Sequence, residues 1–102
     1  MNPKVSVMGT LKFPPAKLPE VRPHLLRLVE ATRKADGCLA YDVAEDLFEP
    51  GLIRFSELWP DRESLERHLQ APHIEPWRTA AMELGLQERG FVAYGISGSW
   101  PV

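Results

Sequence analysis

Three short segments hold the residues best suited to chemistry: Gly37-Cys38-Leu39-x-Tyr41-Asp42, Phe55-x-Glu57-x-Trp59 and His68-Leu69-x-x-Pro72-His73. They offer a carboxylate, two imidazoles, a phenol and an indole, groups that move protons and wall aromatic pockets. Glu57 discriminates most. Strand alternation puts it on the same face as Ile53, Phe55 and Trp59, where an ionised carboxylate is costly. It needs a raised pKa or a basic partner, either Arg33 on the preceding helix or a cation beside Arg54. Two roles stand open for it: a structural hydrogen-bonded group, or a general base and substrate anchor.

His68 falls on an inward helix position beside Leu69, and His73 follows Pro72 at the start of the next helix. Each is either a hydrogen-bonded or capping histidine or an acid/base group. Their five-residue separation across Pro72 is not the i, i+4 spacing of a helical metal pair, so no metal site is expected. His24, on the polar side of the first helix, reads as a surface residue. Tyr41 and Trp77 lie on inward positions and Trp59 shares the Glu57 face, so all three are core aromatics or walls of a pocket for a flat ring. Cys38 has no cation beside it and reads as a small apolar filler; as the one cysteine it forms no intrachain disulfide.

The elements that must position these groups follow from periodicity. Val5, Val7, Leu11 and Phe13 alternate with Ser6, Thr10 and Lys12, which predicts a half-buried strand ended by Pro14-Pro15. From Leu18, helical spacing of Val21, Leu25, Leu28, Val29 and Thr32 predicts an amphipathic helix that stops near Ala35 at Asp36-Gly37. Pro19 and Pro23 fit only near its first turn. Leu39, Tyr41 and Val43 begin a hairpin that turns at Glu49-Pro50-Gly51 and returns over Leu52 to Trp59. Asp61 caps a helix with Leu65, His68 and Leu69 as its inward stripe, and Pro72 interrupts it. Ile74, Trp77, Ala81 and Leu84 predict a second short helix to about Met82, and a last strand spans roughly Phe91 to Ser99.

This β-α-β-β-α-(α)-β order is that of an α+β, ferredoxin-like antiparallel sheet with helices on one face. The other face is left uncovered. Met8, Leu58, Val92, Tyr94 and Ile96 put apolar side chains on both strand parities, so a homodimer paired through its sheets is expected, with the tail 98–102 and Trp100 at the interface.

In the quoted motifs, from about Val5 to about Leu86, the chain resembles the antibiotic biosynthesis monooxygenase domain family, whose simplest members are small quinol monooxygenases. The resemblance implies a dimeric α+β barrel and an enzyme that lets an electron-rich phenol react with dioxygen directly. Glu57, His68 and His73 would then be the proton-transfer groups, and Tyr41, Trp59 and Trp77 the substrate-binding walls. A related haem-degrading branch uses a helix histidine and a first-strand asparagine. Here those stretches read Trp77-Arg78-Thr79 and Met8-Gly9-Thr10, so haem degradation is not expected. A small-carbonyl isomerase and a non-catalytic dimeric binding module are the alternatives on the same pocket.

Composition bounds the rest. The 102 residues are enough for one core and one domain. A formal charge of -2 with interleaved signs gives no basic stripe for nucleic acid or anionic membrane. No apolar run approaches the roughly 20 residues that cross a bilayer, and Met1-Asn2-Pro3-Lys4 does not open a secretory signal, so a cytoplasmic location and a small-molecule substrate are expected. No dinucleotide or phosphate-loop fingerprint appears, so the expected oxidation uses no bound organic cofactor.

Overall fold

The computed structural model describes residues 2–102. Strand β1 (Val5–Lys12) leads through a single 3-10 turn at Pro15–Lys17 into helix α1 (Leu18–Ala35). The hairpin β2 (Ala40–Glu45) and β3 (Leu52–Trp59) follows, then α2 (Arg62–Leu69), α3 (Ile74–Glu83) and β4 (Glu88–Gly95). The sheet order is β2-β3-β1-β4 with every neighbouring pair antiparallel, the α+β ferredoxin-like arrangement that the element order predicts.

The helices lie on one sheet face because the strands alternate as expected. Val5, Val7 and Leu11 of β1 and Ile53, Phe55, Glu57 and Trp59 of β3 are buried on the face that the helices cover. In α1 the buried positions are Leu18, Val21, Leu25, Leu28 and Thr32, spaced three or four apart as one helical face requires. Pro19 sits in the first turn, but Pro23 lies inside the helix, deeper than its chemistry favours. It is tolerated because both Pro23 and Pro19, whose carbonyl loses its partner, are exposed to solvent. Asp36 closes the helix, donating its N–H to the Thr32 carbonyl at 3.1 Å, and Gly37 leaves with φ +76°.

Three expectations need correction. Leu39 precedes the hairpin strand and is exposed, since the ladder starts at the Ala40–Leu58 pair. Leu69 lines the cavity below α2 with Leu65 and His68, as its inward position predicts, but it stays 41% exposed, and the residues that α2 buries fully are Ser64 and His68, one turn apart. The last strand begins three residues earlier and ends four residues earlier than expected. Its length is set by β1, which pairs Lys12 with Glu88 at one end and Val5 with Gly95 at the other.

Candidate active site

Between the sheet and the helices lies a cavity of about 280 Å³. Its floor is sheet: Val7 and Leu11 from β1, Phe55 and Glu57 from β3, with Tyr41 from β2. The edge strand β4 continues it with Arg89, Phe91 and Ala93. Its roof is Leu65 and His68 of α2 and Ile74, Trp77 and Arg78 of α3, closed by Leu28 of α1. Asp61 sets the rotation of α2 by accepting from the Ser64 N–H and hydroxyl, both at 2.7 Å. That cap starts the helix so that His68, four residues after Ser64, turns inward.

Besides Arg78 and Arg89, three polar side chains line this largely apolar space. Glu57 accepts a hydrogen bond from the Trp59 indole N–H at 2.9 Å through Oε1. Burial pushes its pKa above its ordinary value, and that bond and the Arg89 charge only partly oppose it. Arg33 is not its partner, because that guanidinium is held by the Tyr41 carbonyl and Asp42; Arg54 is held by Asp46. Tyr41 packs edge-on against Phe55, Trp59 and His68, and burial, then the nearby Glu57, drive its hydroxyl far above its ordinary pKa. The His68 ring lies between Tyr41 and Trp59, with its Nδ1 2.7 Å from Asp36 Oδ2. Burial, with the His73 and Arg78 charges, lowers its pKa more than Asp36 raises it, so the neutral ring is favoured.

Among the described residues no enclosed side-chain polar atom lacks a partner. Glu57 Oε2, His68 Nε2 and the Tyr41 hydroxyl make no hydrogen bond among the described residues, so they are accessible, and their residues line the cavity. The bond at Nδ1 selects the tautomer: with Nδ1–H given to Asp36, Nε2 of neutral His68 faces the cavity as an acceptor.

Behind His68 stands a group with no counterpart in the sequence reading. Asp36 Oδ2 also lies 2.9 Å from His73 Nε2, which is 3.2 Å from the hydroxyl of buried Thr32. The donor atoms of Asp36, His68 and His73 fall within 4.8 Å of one another, a group that could hold a metal ion. The expectation of no metal-ligand grouping considered one helix only, whereas the fold brings Asp36 from another element. Here the Asp36 oxygen serves as a shared hydrogen-bond acceptor, and a cation would need both facing nitrogens free of hydrogen.

Of the residues expected to form a site, Tyr41, Glu57, His68 and Trp77 line the cavity together. Trp59 does not; it is fully buried behind Glu57 and acts on the site through its N–H. His73 does not either, because it packs behind His68 on Asp36. Arg78, Arg89 and Phe91 line the cavity without having been singled out. Arg89 and Phe91 share the parity of Ala93, which register with β1 turns toward the helices. Among the described residues His24 bonds only Arg27, and Cys38 is half-buried with its thiol pKa pushed up by burial, as a filler residue would have.

This architecture recurs in known proteins. A candidate antibiotic biosynthesis monooxygenase from Deinococcus radiodurans is similar at 30% identity, with a TM-score of 0.89 over 96% of this chain and 97% of that one. A further candidate from Caulobacter crescentus, at 22% identity and TM-score 0.87 over 94% and 92% of the two chains, shares the fold. An uncharacterized protein of Synechocystis sp. is 32% identical over 70 residues, 69% of this chain; the chain spans 48% of that relative's length. The family model for antibiotic biosynthesis monooxygenase matches residues 4–80, covering every strand and helix that builds the cavity except β4 and the end of α3, and the chain belongs to that family.

Proposed function

We propose that the protein is a cofactor-independent monooxygenase acting on a hydroquinone or related phenolic small molecule. The observation that carries this reading is the convergence of Glu57 Oε2, His68 Nε2 and the Tyr41 hydroxyl on one aromatic-walled cavity. Its size of about 280 Å³ is at the small end of ligand pockets and suits one or two fused rings. His68 Nε2 accepts the phenolic proton. Glu57, whose burial favours the protonated carboxyl, donates a hydrogen bond from that form to an oxygen of the substrate, and the Arg89 charge favours the phenolate. One oxygen atom enters the ring and the other leaves as water, with the hydroquinone supplying all the electrons.

The test is oxygen uptake with a panel of hydroquinones. Wild type should exceed the uncatalysed rate, and His68→Gln and Glu57→Gln should each lose on the order of 10²-fold or more. No rate above background with any of the panel overturns the reading, as does full activity in both variants. Turnover that persists without oxygen would instead identify an isomerase using the same base.

A homodimer formed through the open sheet face is part of the proposal. The support is the exposure of Met8, Val92 and Tyr94 on the face that carries no helix.

A further inference from the structure

Asp36 is one buried carboxylate facing two imidazoles from different helices. Its single negative charge can offset one imidazolium, and a second, with ring centroids 6.4 Å apart, is repelled. The two rings differ in exposure. His68 is 4% exposed and opens Nε2 into the cavity, whereas the His73 side chain is 21% exposed and its Nδ1 has no partner among the described residues. Thr32, fully buried, holds His73 Nε2 against Asp36.

We propose that Asp36 makes His68 and His73 one proton-exchange unit: a proton taken up at His68 Nε2 from a bound phenol is answered by release of one from His73 Nδ1 to solvent. The exchange starts from a His73 ring that carries a hydrogen on both nitrogens, and it rests on the reading of His68 as the proton acceptor. The substrate O–H bond breaks as the Nε2–H bond forms; the His73 Nδ1–H bond breaks and its proton passes to water. Asp36 stays a carboxylate throughout, and the unit keeps one negative and one positive charge. When His68 returns its proton to the departing water oxygen, His73 takes one from solvent and the unit is reset. A phenolate can thus form in an apolar pocket without leaving an uncompensated charge on the buried pair.

The charged and titratable groups facing His68 are Asp36 at the end of α1, Tyr41 of β2, Glu57 of β3, and His73 and Arg78 of α3. Besides burial, His73 and Arg78 disfavour the His68 cation and Asp36 favours it. Coupling of this kind gives titrations that belong to the pair.

The experiment is an NMR titration of the ring nitrogens of the whole ¹⁵N-labelled protein, which requires no substrate. In His73→Gln the repelling and competing ring is gone, and the His68 midpoint should rise by on the order of one pH unit. In Asp36→Asn it should fall, and the preference of His68 for Nδ1–H should be lost. An unchanged His68 midpoint in folded His73→Gln overturns the coupling. His73 is partly exposed, so this variant decides the matter if Asp36→Asn does not fold. Loss of activity in the hydroquinone assay bears on the function alone, and the titration bears on the coupling alone.

Discussion

Glu57 is 3% exposed with one hydrogen bond to Trp59, and burial lifts its pKa above the ordinary 4.5. A carboxyl that holds its proton more tightly when folded binds more protons in the native state, so stability falls as pH rises from 4.5 through the raised value. Above that window the whole cost is present; below it there is none. Glu57→Gln keeps an oxygen for the Trp59 N–H and removes the ionisation. The variant should melt a few degrees higher than wild type at about pH 8 and no higher at about pH 4, while losing oxygen uptake. An equal gain at both pH values, read by calorimetry, would assign the effect to packing instead of charge. Glu57 was legible as a costly carboxylate because strand alternation fixes its face. Asp36 was not, because Asp36-Gly37 satisfies the pattern of a helix end, and the direction of its side chain depends on α2 and α3 docking beside it.

The edge strand β4 shows how an element shapes the cavity. Phe91 pairs across the ladder with Gly9, and a Cβ at residue 9 would overlap the Phe91 ring. The glycine is therefore the space in which the aromatic ring lies, with its own face covered by the Arg89 guanidinium at 4.6 Å from the centroid. Gly9→Ala must push Phe91 off this seat, where it also packs against Phe55 at 5.1 Å. Overpacking of this kind costs about 1–3 kcal/mol, to be measured by urea unfolding. Because Phe91 walls the cavity and carries no proton, KM for the best hydroquinone should rise more than kcat falls. A variant as stable as wild type with unchanged KM would refute the packing account. Alternation and caps made β1, α1, β3 and α2 readable, since each has a hydrophobic period and a stop signal of its own. The last strand had neither. Glu88, Arg89 and Gly90 have no apolar period, and their place in the sheet comes from pairing with β1.

The whole molecule is two layers thick, 18 Å in its shortest extent against 40 and 32 Å in the others. Folded monomers of 11.5 kDa expose about 5,800 Å² by the usual scaling with mass, yet this chain exposes 6858 Å². The excess, about 1,000 Å², fits a face built to be covered. Register identifies that face: Met8 pairs with Val92 and Ser6 with Tyr94, all pointing away from the helices. Met8, Val92 and Tyr94 are each more than half exposed, a contiguous apolar patch on the side without helices. Two copies joined face to face would bury it in a self-complementary interface on the order of 2,000 Å² in total. Trp100, 80% exposed on the tail after β4, is expected to extend that contact. Light scattering on a size-exclusion column should give about twice the chain mass of 11.5 kDa at micromolar concentration. Val92→Asp, which buries an unpaired charge at the centre of the patch, should shift the species to monomer by costing several kcal/mol of association. A folded wild-type monomer across that concentration range, or a Val92→Asp dimer of undiminished stability, would remove the open face as the interface. Trp100→Ala without effect would remove only the tail.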